Sequence, residues 1–440
     1  MSTARPRGLA RLTGWLRRWG PLLPLLSAEF IVMLGFGALL PVLPLYVQEQ
    51  GIDATTLGII VAAWPIAKLL TEPFAGWWAD RHARKPQMVA GLLILGVATM
   101  LPLLFTSAIA LFVLRFASGV AVGLYDPAAR GMIMEGTEKH ERGEAFGIYG
   151  AFQIGGFVFG PAIGAIGAGV LGEYAFPFIL TGLLSFAAAL VVAARLRDRP
   201  HVAEDVDLER HPDAKPIIDA QQPVAQQPVA QQPVTQHVPQ APMAALLNRT
   251  LIAAFVLNFG LNLSFGVYEV IWSLYLIALG ATITWVGVTF VLFAVPQMIA
   301  SPIAGRLVDR HGPTRFVLGG GLTILATGAV YALASEPVLP SLIVPVESVA
   351  TAAMTPALFA MAAAGTPSGR SSTVQGLYGA ISTLALVVAA MVSGALFEEG
   401  IGYPFWFFVA GLAVCLVVGL LIYRSADPHR GALQVAESAG

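Results

Sequence analysis

The chain has 440 residues, of which 56% are hydrophobic and only 12% are charged, and its net charge is −1. Its mean hydropathy of +0.74 is well above the value that a water-soluble surface permits. Composition therefore excludes a soluble globular protein and predicts an integral membrane protein, while the net charge says little about partners.

Twelve apolar segments are long enough to cross about 30 Å of hydrocarbon at about 1.5 Å per residue. The first follows several arginines, as a signal peptide does, but no small-residue cleavage site is evident, so we interpret it as a retained span. The sequence predicts an all-α integral membrane protein. The predicted spans are 22–46, 55–78, 87–106, 108–131, 144–168, 174–196, 250–278, 284–305, 315–335, 339–363, 372–396 and 403–423.

Charges are distributed unequally between the connections on the two sides. If the N-terminus is cytoplasmic, the connections on that side carry every Lys and Arg of the loops, from Arg81 to Arg370. This asymmetry follows the positive-inside rule and predicts a multi-pass protein of the cell membrane with both termini in the cytoplasm. The charged residues of the opposite connections are all acidic, namely Glu49, Asp53, Glu173, Glu336, Glu398 and Glu399.

The positions of cysteine and histidine argue against a disulfide and against a metal site within the membrane. The single cysteine, Cys415, cannot form an intramolecular disulfide. All seven histidines fall in predicted cytoplasmic loops or tails, so we expect no metal site and no cofactor within the membrane.

A polar segment divides the chain into two sets of six spans. Residues 197–248 hold a charged stretch followed by AQQPVAQQPVAQQPVTQHVPQ, which cannot bury enough surface to fold and favours extended conformations. We interpret it as a tether; binding of a partner is the less favoured alternative. The predicted domains are a six-helix bundle at 1–196, a flexible cytoplasmic linker at 197–248 and a second six-helix bundle at 249–440.

The two halves share a sequence pattern at the same junction, between the second and third span of each. Such duplication predicts two pseudo-symmetric bundles that rock around a central site, as in a transporter. A shift of 229 residues places Pro73 on Pro302, Ala75 on Ala304, Gly76 on Gly305, Asp80 on Asp309, Arg81 on Arg310 and His82 on His311.

This junction resembles the major facilitator superfamily, whose signature there is GxxxDRxxRK. The resemblance implies a gating latch that closes the cytoplasmic side, with a glycine for close helix approach and Asp80 accepting hydrogen bonds from helix amides of the opposing half. The alternative is a set of charges that only fixes topology. The matching residues are Gly76, Asp80, Arg81, Arg84 and Lys85, and in the second half Gly305, Asp309 and Arg310.

Three further patterns resemble the twelve-span drug:proton antiporters of that superfamily, the multidrug efflux type. Gly156, Gly160 and Gly164 recur every four residues and so offer one bare helix face to a neighbour, while Pro161 can bend that span. The resemblance implies an exporter. The patterns comprise Gly35, Pro41 and Pro44 in the first span, Leu111, Arg115 and Gly119 in the fourth, and Gly147, Gly156, Gly160, Pro161 and Gly164 in the fifth.

Ionisable side chains within the spans are costly, about 2.5 to 3.5 kcal/mol each, so each is a functional candidate. Glu29 in the first span is a candidate proton carrier, because burial disfavours its charged form and it could hold either a proton or a cationic cargo. The alternative is a permanent, structural ion pair between Glu29 and Arg115 or Lys68. Arg115 stays charged and would tune a carboxylate or orient the substrate.

Five other ionisable residues have separate interpretations. Lys68 is a candidate for the cavity wall. For Glu72, four residues further on, the favoured interpretation is a local salt bridge to Lys68. The resemblance implies that Asp126 pairs with the basic residues of the Asp80 cluster. Glu269 and Glu347 have no cationic neighbour in their own spans and suit a second proton site or a cation contact.

We therefore expect a proton-coupled efflux antiporter for amphipathic, cationic or zwitterionic small molecules. The alternative is a dedicated exporter of one metabolite, sugar or lipid, in which Lys68 and Arg115 bind an anionic group. No nucleotide-binding loop or nucleophile motif supports a membrane enzyme or sensor.

We expect a monomer in the lipid bilayer with protons as coupling ion and no nucleic-acid partner. The predicted cavity residues are Glu29, Lys68, Arg115, Asn258, Asn262, Tyr268, Glu269, Trp272, Gln297, Glu347 and Gln375, and helix packing is the alternative for each amide and aromatic.

Overall fold

The computed structural model describes residues 19–137, 142–196, 242–367 and 370–425, which fold into helices joined by turns. Twelve helices of this part are long and apolar enough to cross a membrane, which confirms the predicted count and the all-α fold. We number the helices α1 Leu23–Leu39, α2 Leu43–Glu49, α3 Ala54–Ala79, α4 Arg84–Met100, α5 Ala108–Gly136, α6 Arg142–Leu171, α7 Ala175–Arg195, α8 Arg249–Ala278, α9 Ile283–His311, α10 Pro313–Leu333, α11 Val338–Ala364, α12 Ser371–Glu399 and α13 Tyr403–Ser425.

The first span is broken, which the sequence did not predict. Pro41 has no N–H to donate to the carbonyl of Gly37, and the N–H of Leu40 takes that acceptor instead at 3.2 Å. Helix α1 therefore ends at Leu39, and α2 starts at Leu43 with Pro44 in its first turn. The predicted first span, 22–46, therefore consists of two helices rather than one.

The predicted linker lies mostly outside the described residues, including its whole AQQPV repeat at 220–240. The described part of the predicted linker is its C-terminal end, where Met243–Leu247 form a 3₁₀ turn. The Asn248 side chain caps α8 by accepting from the N–H of Leu251 at 2.9 Å, and it donates to the carbonyl of Gly365 at 2.7 Å. This end of the predicted linker belongs to the second bundle.

Both ends of the described chain, Trp19 and Ser425, lie on the same side of the bundle, because an even number of spans separates them. We call this the tail side and the opposite one the far side. The loop between α3 and α4 is on the tail side, and the loop between α2 and α3 is on the far side.

The two six-helix halves touch closely on the far side. A Cβ added to Gly394 of α12 would collide with the carbonyl oxygen of Ala54 on α3, and one added to Gly58 would collide with that of Ala390. The halves also touch between α6 and α9, where a Cβ added to Gly287 would lie 2.7 Å from the Cβ of Ala165. Small residues thus let backbones of opposite halves meet.

A carboxylate fastens the same far-side contact. The Oε1 atom of Glu398, at the end of α12, accepts a hydrogen bond from the backbone N–H of Thr55 at 2.9 Å. Thr55 lies in the first turn of α3, whose amides have no partner within the helix. Asp53 caps the same turn by accepting from the N–H of Thr56 at 2.6 Å, and this hydrogen bond lowers the pKa of the Asp53 carboxyl.

The same four helices separate toward the tail side. A Cβ added to Gly147 of α6, Gly305 of α9 or Gly379 of α12 would meet no atom within 4 Å. Phe74, near the tail-side end of α3, is 75% exposed. The space between the halves is therefore closed at the far side and open at the tail side.

Replacing Glu398 with alanine is expected to loosen the far-side contact, because the first turn of α3 loses an acceptor. Loss of a helix cap costs about 0.5 to 2 kcal/mol, which would lower the closed population by roughly 2- to 30-fold. Spin labels on the exposed residues Gln48 and Ile401, in a Cys415→Ser background, should report a broader distance distribution.

The matched control is Glu399→Ala, which removes the neighbouring exposed carboxylate. Identical distance distributions in the Glu398 and Glu399 variants would show that Glu398 does not hold this contact.

Candidate functional site

Two adjoining chambers form a cavity in the middle of the protein. The first, of about 300 Å³, lies within the first half and includes Arg115 and Gln153 in its wall. The second, of about 440 Å³, is lined mainly by the second half and includes Glu269 and Glu347. We call them the N chamber and the C chamber. Both are lined by Phe36, Trp64 and Phe157, so they meet at these three rings.

An ion pair joins the two halves across this cavity. The Nη2 atom of Arg115 donates to Oε1 of Glu269 at 3.0 Å, and the two side chains are 10% and 15% exposed. The guanidinium also lies over the rings of Trp64 and Phe36, at 5.8 and 5.9 Å from their centroids. Helix α5 supplies the cation and α8 the carboxylate, so the charge of each is balanced by the opposite half.

Glu347 is bound by a phenol rather than by a cation. The hydroxyl of Tyr268 donates to its Oε1 atom at 2.6 Å. The Tyr268 ring packs edge-on against Trp272 and Phe408, at centroid distances of 5.6 and 5.4 Å. The Trp272 indole N–H in turn donates to Thr289 at 2.9 Å. The C chamber thus has a rigid aromatic wall that holds a carboxyl group toward the cavity.

Glu29 is fully buried and lies behind the N-chamber wall. Its Oε1 atom accepts from the side-chain amide of Gln153 at 2.8 Å, and Gln153 itself lines the chamber. The hydroxyls of Tyr125 and Tyr149 face the same carboxyl, but neither reaches hydrogen-bond geometry, and Oε2 of Glu29 has no partner among the described residues. Neither form of the alternative ion pair, to Arg115 or to Lys68, is present, because both cations bind other carboxylates.

Lys68 belongs to a separate charge cluster of the first half. Its Nζ atom lies 2.7 Å from Oδ2 of Asp126 and 3.7 Å from Oε1 of Glu72, so the predicted local salt bridge to Glu72 is present. Arg130 completes the cluster at 3.5 Å from Asp126. The expectation that Asp126 pairs with the basic residues of the Asp80 cluster is wrong, since Asp126 lies one helix turn from Arg130 and opposite Lys68 on α3.

Six of the predicted cavity residues line the chambers, and five lie elsewhere. Asn258 is buried between α8 and α12, where its amide donates to the carbonyl of Tyr378 at 3.1 Å, and Gln375 lines a separate pocket of about 200 Å³. Gln297 on α9, Lys68 and Glu29 are outside the lining of both chambers. The lining residues are Arg115, Asn262, Tyr268, Glu269, Trp272 and Glu347.

The glycines of α6 lie against α1. A Cβ on Gly156, Gly160 or Gly164 would collide with the carbonyl oxygens of Phe30, Leu34 and Ala38 respectively, so the bare face predicted from the sequence is in contact. Gly35 of α1 is equally tight, because an added Cβ would lie 2.8 Å from Thr181 of α7. Gly147 meets nothing, since it lies on the open tail side. Pro161 packs beside Gly37 of α1.

The predicted gating residues lie apart from the opposing half in this open conformation. The Asp80 carboxylate is 74% exposed and sits 3.7 Å from Arg84. A Cβ on Gly76 would reach only 3.8 Å from Pro127, so no close approach requires glycine here. Arg81 lies over the ring of Trp77, at 4.4 Å from its centroid, and both Asp309 and Arg310 are exposed. The latch stays a prediction for a conformation closed at the tail side.

Gln153 is the site residue that sequence reasoning missed. It lies three residues before Gly156, hence on the helix face that packs against α1, where Glu29 is located. A polar side chain one turn from a packing glycine was the available signal. Phe36, Trp64 and Phe157 carried no such signal, because aromatic residues are frequent in all membrane helices. The described residues contain no cluster of His, Cys, Asp and Glu that could hold a metal ion.

Comparisons with known proteins agree with this architecture. The chain is 26% identical over 418 residues to Multidrug resistance protein 2 of Bacillus subtilis (strain 168), covering 93% of this chain and 96% of that protein. It is 29% identical over 169 residues to the quinolone resistance protein NorA of Staphylococcus aureus (strain MRSA252), covering 38% of this chain and 43% of NorA.

Solved structures share the fold at low sequence identity. A bacterial homologue of the human lysosomal transporter Spinster, in an inward-facing and unoccupied conformation, has a TM-score of 0.68 at 16% identity and covers 93% of this chain and 95% of that one. The nucleoside transporter NupG has a TM-score of 0.69 at 11% identity, covering 92% and 99%. The family model of the Major Facilitator Superfamily matches residues 25–276 and 254–439. The chain belongs to the Major Facilitator Superfamily.

Proposed function

We propose that this protein is a proton-coupled efflux antiporter that exports amphipathic, cationic or zwitterionic small molecules by alternating access. The observation that carries the proposal is the pair of carboxyl groups, Glu269 and Glu347, in an aromatic-lined cavity between the two halves. The similarity over nearly the full length to a multidrug resistance protein supports export of drug-like compounds.

The C chamber suits an organic cation. Its aromatic rings offer negative faces to a positive charge, and its two acids supply the countercharge. A carboxyl group that holds a proton no longer attracts the cation, and one that binds the cation excludes the proton. This mutual exclusion is what an exchange of one for the other requires.

Arg115 competes with the cargo for Glu269. In the structure the guanidinium already neutralises that carboxylate at 3.0 Å. An incoming cation must displace it, and because Arg115 and Glu269 belong to opposite halves, the displacement removes a contact that holds the halves together. Binding of cargo is in this way linked to relative movement of the halves.

Glu29 would hold a proton without touching the cargo. It is fully buried and reaches the N chamber only through the Gln153 amide. We assign it to proton coupling, together with Arg115, Glu269 and Glu347, and leave it out of the substrate contacts.

An exporter of anionic cargo is less well supported. Such cargo would need free cations in the cavity, whereas Lys68 binds Asp126 and Arg115 binds Glu269.

The same proposal assigns an orientation and a setting. We infer that the tail side is cytoplasmic, because the described tail-side loops and helix ends carry Arg81, Arg249 and Arg306, whereas the far-side loops and helix ends carry acids. The conformation is then inward-facing, with Asp80, Asp309 and their neighbours forming the gate that closes when the cavity opens outward. A monomer in the cell membrane, with protons as the coupling ion and no cofactor, suffices for this cycle.

Replacing Glu347 with glutamine is expected to abolish gradient-driven export, because glutamine keeps the hydrogen bond to Tyr268 but cannot take up a proton. The measurement is ethidium transport by the purified protein in liposomes with an imposed pH gradient. Export should fall to the level of protein-free vesicles, while Glu49→Gln, an exposed far-side change, should transport normally. Export that still follows the gradient in Glu347→Gln would contradict the role of this acid.

The Glu269→Gln variant is expected to weaken ethidium binding by about 30-fold or more, the equivalent of about 2 kcal/mol, because it leaves the Arg115 charge unpaired in the cavity. The double variant Arg115→Gln/Glu269→Gln should recover most of that loss. Fluorescence titration at fixed pH and salt measures the ethidium affinity of the single and the double variant. A double variant that binds no better than Glu269→Gln would show that the two side chains are not coupled.

The Glu29→Gln variant should separate coupling from binding. Its carboxyl lies outside both chambers, so ethidium affinity should equal that of the unaltered protein, whereas export driven by the pH gradient should be lost. Fluorescence titration measures the ethidium affinity, and the liposome assay measures gradient-driven export. Undiminished gradient-driven export would exclude Glu29 from the proton path.

A further inference from the structure

A groove of about 570 Å³ runs along the outer surface of the second half, between α10 and α11. Its walls are two matching stripes of residues that recur every four positions, which places each stripe on one helix face. Over eight residues the groove extends about 12 Å along the helix axis. The stripes contain Arg315, Gly319 and Thr323 on α10, and Pro345, Val349 and Ala353 on α11.

The groove has a backbone floor and an open mouth. At Gly320 an added Cβ would lie 2.8 Å from the carbonyl oxygen of Ala350, so the two helices touch there. At the neighbouring Gly319 an added Cβ would meet no atom within 4 Å. Val346 in the groove wall and Leu322 beside it are each 54% exposed. This surface faces outward from the bundle and is apolar, so in a bilayer it is in contact with lipid.

One end of the groove carries a free positive charge. Arg315 lines it at the tail-side end of α10 and is exposed. Among the described residues no acceptor lies within hydrogen-bond or ion-pair distance of its guanidinium. The groove is apolar along its length and carries a cation at its tail-side end. A phospholipid matches both features, since its acyl chain is apolar and its phosphate is anionic.

We propose that this groove binds an anionic phospholipid of the tail-side leaflet, with one acyl chain along the two stripes and the phosphate on Arg315. Guanidinium groups bind phosphate oxygens through paired hydrogen bonds, which an exposed Arg315 is free to form. The proposal does not depend on what the protein transports.

The site is connected to the cavity through a single helix turn. Val346 lines the groove, and the next residue, Glu347, lines the C chamber. A lipid in the groove therefore packs against the outer face of the turn whose inner face carries the carboxyl group, and it supports the position of that turn.

The test is native mass spectrometry of the purified full chain titrated with dioleoyl phosphatidylglycerol or dioleoyl phosphatidylcholine. Arg315→Gln should remove the preference for phosphatidylglycerol, a loss of roughly fivefold in affinity for that lipid. Gly319→Leu should reduce retention of both lipids, because the leucine side chain fills the groove.

The matched controls are Arg306→Gln, which removes an exposed arginine of α9 outside the groove, and Gly379→Leu, which adds a side chain in open space on α12. Both should retain lipid as the unaltered chain does. Size-exclusion chromatography checks folding, and if Gly319→Leu does not fold, the Arg315→Gln comparison decides the proposal by itself.

Three results would overturn it: equal phosphatidylglycerol retention in the Arg315→Gln and Arg306→Gln variants, unchanged retention of both lipids in a folded Gly319→Leu variant, or displacement of the lipid by inorganic phosphate at equal concentration. The last result would identify free phosphate as the ligand.

Discussion

A charged group inside hydrocarbon must have a partner, and the acids in the interior of this protein are arranged by that constraint. Glu269 and Asp126 each lie against a cation, Arg115 and Lys68 respectively. Glu347 and Glu29 lie instead against neutral donors, the phenol of Tyr268 and the amide of Gln153. The difference divides the acids by role. Protonating an acid of the first kind leaves a buried cation unpaired, whereas an acid of the second kind can gain or lose a proton without that cost.

The two sides of the protein are closed by different means. On the far side, backbones meet through glycine and alanine, and Glu398 binds the start of a helix in the other half. The resemblance to the superfamily led us to expect that kind of contact, a carboxylate on the amides of the opposing half, for Asp80 on the tail side. The structure contains such a contact on the far side instead, where Glu398 of the second half supplies the carboxylate, and the Asp80 carboxylate on the tail side is exposed. The same electrostatic principle, an acid at the positive end of a helix, serves the side that is closed in this conformation.

The sequence was sufficient for the fold and for part of the site. Twelve spans followed from hydropathy, and the glycine spacing on α6 predicted the face that packs against α1, because both depend on local pattern alone. The break at Pro41 was missed, since apolar composition continues through it. Partners of buried charges could not be derived, because Arg115 and Glu269 are distant in sequence and lie in different halves. Asn258 and Glu347 likewise look alike as polar residues in apolar helices. Only the packing distinguishes an amide that binds a neighbouring backbone from an acid that faces the cavity.

The side chain of Gln153 has a consequence for the surface of the N chamber. A primary amide has a hydrogen-bond donor at one end and an acceptor at the other, and rotation by half a turn exchanges them. An ionised Glu29 can only accept, so it takes the amide's NH₂ group, whereas a neutral carboxylic acid can donate and binds the amide's oxygen equally well. The Gln153 amide in the chamber wall can thus present either its donor or its acceptor to the cavity, according to whether the buried Glu29 directly behind it carries a proton. This change requires no movement of the backbone.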